Sequence, residues 1–364
     1  MENRFDLVDL LQRTVAAGAS DLHLCADSPP MVRLNGALTP VDEARVSVQD
    51  CRDMITGILT EAQRTRLEEE WELDFALQVE GVGRFRGNAH FSRGALEGAF
   101  RHVSDTIPTL GQLGHRESIF RICNLENGLV LVTGMPGSGK TTTMSAMVQH
   151  ISQNLNGVIV TIEDPIEFVY QNSKSVIKQR EIGSDTKSFA EALRNALRQD
   201  PDVILVGEMR DPETISAAIT AAETGNLVIA TLHTMDAPKA IDRIVDAFPG
   251  GQQPQIVAQL ANSLQAVIAQ RLIPREDGAG RVLASETLVT NSGVRACIRE
   301  HRFEQLVGLI EIGAKDGMHT IDEDLSGLYL SGAISKEQAI ANARDRNRME
   351  SLMREAPKKK GIFG

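Results

Sequence analysis

The sequence predicts an α/β protein in which a small mixed α+β module precedes a domain built on a mainly parallel sheet. Three observations lead there. Residues 129–133 (LVLVT), 158–162 (VIVTI), 203–206 (VILV) and 227–231 (LVIAT) are short apolar runs, the pattern of strands buried on both faces. Helical patterns separate them. The first third of the chain instead alternates apolar and polar residues between glycine turns, as half-buried antiparallel strands do.

The elements follow in order. Residues 4–18 carry Phe5, Leu7, Val8, Leu11 and Val15 at helical spacing and stop at Gly18. Residues 20–24 (SDLHL) alternate like a strand, and residues 31–34 (MVRL) lead into Asn35-Gly36, a hairpin signal. Two helices follow over 47–59 and 61–70, each opened by a capping residue. Strands are expected at 74–79, 83–92 and 96–103. The polar, proline-bearing stretch 105–111 (DTIPTLG) reads as a connection. The expected organisation is therefore a first domain over 1–104, a linker over 105–115, a second domain over 116–355 and a tail over 356–364. Within the second domain, residues 188–199 form a helix with Phe189, Leu193, Ala196 and Leu197 on one face, ended by Asp200-Pro201. From about Gly251 the pattern reads as mostly helical, broken by a turn at 277–280 (DGAG) and a short strand near Val282.

Composition narrows the class. The 364 residues include 38 basic and 49 acidic side chains, a net charge of −11, which argues against nucleic acid as the main partner. The widely spaced Cys25, Cys51, Cys123 and Cys297 form neither a disulfide framework nor a C-x-x-C pair, as suits a reducing compartment. No apolar stretch approaches the roughly 18 residues that span a bilayer, and the N-terminal residues lack a signal-peptide layout. A cytoplasmic protein without direct membrane insertion is expected. The three lysines of 358–360 read as a solvated end rather than a lipid contact.

Residues 134–141 (GMPGSGKT) are a G-x-x-x-x-G-K-[ST] loop between a strand and a helix pattern. Gly134, Met135, Pro136, Gly137, Ser138 and Gly139 form the turn whose backbone N–H groups cradle phosphates. Lys140 reaches the β/γ-phosphates, Thr141 ligates Mg²⁺, and Thr142 opens the helix behind. ATP and Mg²⁺ are the expected ligands. Three further strand ends point to the same crevice, because ligands of open α/β sheets sit beyond the carboxyl ends of the strands. Residues 161–167 (TIEDPIE) place Glu163 where it would orient or deprotonate an attacking water, or else cap the turn before Pro165. Residues 202–208 (DVILVGE) end in Glu208, the layout of a second nucleotide motif that holds the Mg²⁺ shell. Residues 227–233 (LVIATLH) end in His233, a candidate γ-phosphate sensor.

Together these segments, with 179–214 and 221–234, resemble the secretion-superfamily ATPases, and more narrowly the type IV pilus retraction ATPases of the PilT/PilU kind, from about residue 6 to 345. The resemblance implies a PAS-like N-terminal domain and a RecA-like ATPase domain, assembled as a homo-hexamer. It also implies ATP hydrolysis that drives pilin subunits back into the inner membrane, with the pilus platform protein as partner and a paralogous retraction ATPase as a second. By motif position Glu163 resembles the catalytic glutamate, Glu208 the Walker B glutamate and His233 the His-box histidine. Arg86 and Arg101 match arginines that reach the phosphates in this superfamily, a task suited to a fixed charge with a fork of donors. Residues 293–300 (GVRACIRE) resemble the AIRNLIRE segment associated with retraction; Val294, Ala296 and Cys297 depart from it. Met135-Pro136 departs from the usual Pro-Thr. The alternative within the superfamily is a pilus-extension or type II secretion ATPase. Those relatives usually carry a tetracysteine zinc module, whereas this chain has only Cys123 and Cys297 in that domain.

Overall fold

The computed structural model of the chain describes residues 5–34, 37–103 and 106–355. The expected Asn35-Gly36 turn, the start of the linker at Asp105 and the tail over 356–364 lie outside the described residues. The chain divides into two compact units, one formed by Met1–Thr106 with Pro165–Val169, the other by Ile107–Asp164 with Tyr170–Gly364. Ile107, Leu110 and His115, in the stretch expected as a linker, are buried.

In the first unit, helix α1 (Leu7–Ala16) is capped by Asp6, whose side chain accepts from Asp9 N. Its buried face is Leu7, Leu10, Leu11 and Thr14; Val8, expected on that face, is exposed instead. Strands β1 (Asp21–Leu24), β2 (Met31–Leu34) and β3 (Ala37–Pro40) precede α2 (Val48–Ile58) and α3 (Glu61–Glu70). Both of these helices open with reciprocal capping boxes, Ser47 with Asp50 and Thr60 with Gln63. Strands β4 (Glu72–Val79), β5 (Gly83–Ser92) and β6 (Ala95–Val103) complete an antiparallel sheet ordered β3-β2-β1-β6-β5-β4. Leu22, Leu24, Phe85, Leu96, Phe100 and Ile55 fill its core.

The second unit begins with α4 (Glu117–Cys123), β7 (Gly128–Thr133), α5 (Lys140–Asn154), β8 (Val158–Glu163) and β9 (Val176–Glu181). It continues through α6 (Phe189–Ala196), β10 (Val203–Val206), α7 (Pro212–Glu223), β11 (Leu227–Leu232), α8 (Ala237–Asp246) and α9 (Gln253–Ser263). Then come β12 (Leu264–Pro274), β13 (Arg281–Val289) and α10 (Ser292–Arg299). Four helices close the unit: α11 (Leu306–Ile312), α12 (Ile321–Leu330), α13 (Lys336–Asn342) and α14 (Arg346–Glu355). The seven strands are ordered β13-β12-β7-β11-β10-β8-β9. All neighbours run parallel except β13, which is antiparallel to β12.

The region after Gly251 is mostly helical, as expected, with a strand at Val282. The sequence expectation is corrected at residues 264–274, where a further 11-residue strand forms a long hairpin with the 9-residue one. Residues 264–274 (LQAVIAQRLIP) are nearly continuous apolar sequence, and such a run does not separate helix from strand by period. Pairing decides it: β12 lies between β7 and β13 and is largely buried. The α10 arginines hold the end of the helix that leads into this hairpin. Arg295 Nη1 donates to the carbonyls of Ala261 at 2.6 Å and Asn262 at 2.7 Å, capping the end of α9 where it turns into β12.

Candidate functional site

Strand β7 is buried along its whole length and delivers the chain to the 134–139 loop at the carboxyl edge of the sheet. Gly134, Gly137 and Gly139 have φ of +151°, +77° and +87°, conformations that side-chain-bearing residues rarely adopt. At Gly134 the constraint is also steric. A Cβ there would stand 2.3 Å from Ser138 Oγ and 2.5 Å from the Gln270 carbonyl oxygen. Gly139 is the N-cap of α5, and no side chain caps that helix. The first N–H groups of a 15-residue helix are thereby left for an anion. Among neighbouring polar atoms, Ser138 Oγ is buried with no protein partner. A loop that admits no Cβ, an uncapped helix start and an unpaired buried hydroxyl fit a polyphosphate.

Lys140 is buried and folds back over the loop. Its Nζ donates to Gly134 O at 2.8 Å and Met135 O at 3.3 Å, and lies 3.4 Å from His233 Nδ1. Since an ammonium only donates, Nδ1 accepts and the imidazole carries its proton on Nε2. That nitrogen lies 2.9 Å from Glu208 Oε1. Strand order explains the meeting: β7, β11 and β10 are adjacent and parallel, so residues just past their carboxyl ends converge. Lys140, His233 and Glu208 form one hydrogen-bonded chain. Glu208 is held as well by Arg210, at 2.6 and 2.7 Å. Burial would raise the Glu208 carboxyl, but the hydrogen bonds from Arg210 and His233 outweigh it and hold the group below the usual carboxylate range.

Glu163 ends β8, the strand next to β10. It is buried, and its Oε1 accepts from Thr161 Oγ1 at 2.6 Å and Gln179 Nε2 at 3.2 Å. Burial, reinforced by this carboxylate, pushes the Tyr170 hydroxyl far above its ordinary value, and Tyr170 donates to Ser145 Oγ at 3.1 Å. Thr141 and Thr142 lie in the first turn of α5, both half-buried. Mg²⁺ keeps several waters and takes few protein oxygens beside phosphate oxygens. The Thr141 hydroxyl and the ionised Glu208 suit that demand.

Arg86 and Arg101 belong to the first unit and face each other in register across β5 and β6. Arg86 Nη1 lies 3.6 Å from Glu167 Oε1, within the same unit. Arg101 Nε donates to Asp21 Oδ1 at 2.7 Å. Burial would raise Asp21, but hydrogen bonds from Ser20 and Arg101 bring it below its usual value.

Buried polar side chains also pair within the second unit, one of them on α5. His115 Nε2 and Thr143 Oγ1 are 3.0 Å apart, and His319 Nε2 and Ser285 Oγ are 3.1 Å apart. Asp324 accepts from Ser285 N at 2.8 Å and from Arg116. Burial lowers both histidines to about 4; the Arg116 charge adds to this at His319, while Asp324 opposes it at both.

Sequence reasoning missed Arg210, Thr161, Gln179 and Gln270 as parts of the site. Arg210 had a local signal, its place two residues after Glu208. Gln270 Nε2 donates to Ser138 O from 132 positions away, and only the pairing of β12 with β7 brings it there.

Cys51, Cys123 and Cys297 are buried and Cys25 is partly so; all four are free thiols. Burial pushes Cys123 up to about 12. Among the described residues no group of three or more His, Cys, Asp or Glu side chains is placed to hold a metal, and no helix is long and apolar enough to cross a membrane.

Residues 105–358 match the family model described as type II/IV secretion system protein. The chain is 44% identical over 339 residues to the type IV pilus retraction ATPase PilT of Pseudomonas aeruginosa, covering 93% of this chain and 98% of that protein. It is 41% identical over 345 residues to a twitching motility protein of Neisseria gonorrhoeae, covering 95% of this chain and 92% of that protein. A crystal structure of the pilus retraction motor PilT with bound ADP superposes with a TM-score of 0.90 at 43% identity, covering 96% of this chain and all of that one. The first unit and the second thus correspond to the PAS-like and RecA-like parts expected from the sequence. The chain belongs to the type II/IV secretion system protein family and, within it, to the pilus retraction ATPases of the PilT/PilU type.

Proposed function

We propose that this protein is a motor ATPase that couples ATP hydrolysis to type IV pilus retraction, working as a ring of six copies. The observation that carries the chemistry is the hydrogen-bonded chain Lys140–His233–Glu208 beside a glycine loop that admits no Cβ at Gly134. End-to-end likeness to a pilus retraction ATPase supports the biological direction.

In this reading the Lys140 ammonium leaves the loop carbonyls for phosphate oxygens when nucleotide binds. Thr141 and Glu208 would hold Mg²⁺, which would supply neutralisation of charge on the phosphates. Glu163, oriented by Thr161 and Gln179, positions the attacking water and takes its proton. His233, set between Lys140 and Glu208, responds to the γ-phosphate through either neighbour. Arg86 and Arg101 donate to phosphate oxygens of a bound nucleotide, in their own chain or in a neighbouring copy. Such preorganised donors act where charge develops.

The partners in this reading are further copies of the chain, the pilus platform protein and a paralogous retraction ATPase. The protein would work in the cytoplasm, peripheral to the inner membrane through the pilus machine. A deletion strain tests the direction of work. Loss of twitching with surface pili retained is the expected result. Cells without pili would instead place the protein among the extension ATPases.

A further inference from the structure

The β12–β13 hairpin touches two consecutive carbonyls of the phosphate loop. Gln270 Nε2 donates to Ser138 O at 2.9 Å, and Arg281 Nη1 lies 3.4 Å from Gly137 O. Gln270 is only 1% exposed, and its Oε1 has no protein partner. Turning the carboxamide over would set oxygen against oxygen at Ser138, so Nε2 must face the loop.

A trans peptide points its C=O and N–H in opposite directions. Holding the Ser138 carbonyl toward β12 therefore aims the Gly139 N–H away from β12. Gly139 sits at φ +87° and would tolerate a rotated peptide better than any other residue. Nothing in its own conformation keeps that N–H turned the right way. The brace comes from β12, whose Gln270 lies between Ala269, paired with Thr133, and Arg271, paired with Ala284.

We propose that Gln270 is a positioning residue for nucleotide binding: its carboxamide locks the Ser138–Gly139 peptide so that the Gly139 amide stays available to a phosphate oxygen. The proposal rests on the reading of residues 134–141 as the nucleotide loop. Without the amide, the Ser138 carbonyl loses a buried donor and the peptide is free to turn its oxygen toward the phosphates. A buried neutral hydrogen bond plus the unpaired carbonyl corresponds to about tenfold in affinity.

The test uses the full chain and its Gln270→Met and Gln270→Glu variants. ADP affinity is measured by calorimetry, and KM and kcat for ATP by phosphate release. The expected result is an ADP Kd and an ATP KM raised about tenfold in Gln270→Met, more in Gln270→Glu, with kcat changed by less than about threefold. A residue that only filled the core would lower the active fraction, so kcat would fall with KM unchanged. That outcome overturns the proposal, as does wild-type affinity in either folded variant or loss of fold in both. Failure of the wild-type protein to bind ADP would instead refute the nucleotide reading itself.

Discussion

Replacing Gly134 by alanine puts a methyl group where the structure has no room. The new Cβ would lie 2.5 Å from the Gln270 carbonyl oxygen and 2.3 Å from Ser138 Oγ, with Ser138 Cβ at 3.0 Å. Rotation of the serine relieves only one of these contacts. The Gln270 carbonyl is backbone of β12, which pairs with Thr133 through Ala269 and with Ser285 at Gln270 itself, so it has little freedom to retreat. Reaching ordinary contact near 3.4 Å therefore requires the loop to move by about 1 Å. The backbone at φ +151° adds strain of about 1–3 kcal/mol for a residue other than glycine, and the overpacking costs about 1–3 kcal/mol more. Against a domain stability of roughly 5–15 kcal/mol, the variant folds. Misplacement of about 1 Å at a reacting centre costs on the order of a hundredfold in rate. Gly134→Ala is therefore expected to show near-native circular dichroism, ADP binding weakened by at least about tenfold and phosphate release reduced about a hundredfold. Gly225→Ala is the control. Gly225 also has positive φ, +112°, but a Cβ there meets nothing within 4 Å, so it should lower stability while leaving ADP affinity unchanged. Native affinity and turnover in Gly134→Ala would refute the steric reasoning.

Two further outcomes follow from the electrostatics. Burial lowers His115 to about 4 from 6.5, so the folded protein keeps it neutral while the unfolded chain takes up a proton below pH 6.5. Its share of stability is full above pH 6.5 and is lost as pH falls toward 4; at about 1.4 kcal/mol per pH unit this is about 3 kcal/mol. Urea unfolding at pH 7 and pH 4 should show His115→Gln losing about 3 kcal/mol less than wild type between the two, and equal losses would contradict the assignment. Glu208→Gln removes the carboxylate that Arg210 and His233 hold ionised. It should bind ADP but release phosphate at least about a hundredfold more slowly, and normal turnover would remove Glu208 from the mechanism.

Much of the site was legible in the sequence because it is local. The residues 134–141 loop carries its own geometry, and Glu163, Glu208 and His233 each end a recognisable apolar strand. Their shared place at the carboxyl edge follows from the parallel-sheet rule. What the sequence hid is non-local or lacks a distinguishing period. β9 is short and partly exposed at the sheet edge. β12 reads equally well as a helix until its pairing with β7 is known. Gln270 and Gln179 are ordinary polar residues whose roles arise only from neighbours on other strands. In the first unit the strands expected at 83–92 and 96–103 match β5 and β6 almost to the residue, since alternation runs along both and glycines mark the turns before and between them. Val8 shows the limit of pattern reading: Phe5, Leu7, Leu11 and Val15 of the same helical set pack on the core while Val8 is exposed.

Phosphate release by the purified, assembled protein, compared with its Lys140→Ala variant, reaches the core of the account directly. Magnesium-dependent turnover in the wild type, abolished in a variant that keeps its fold, is the predicted result. Equal release by both proteins, or none from the wild type in any assembled state, would contradict it.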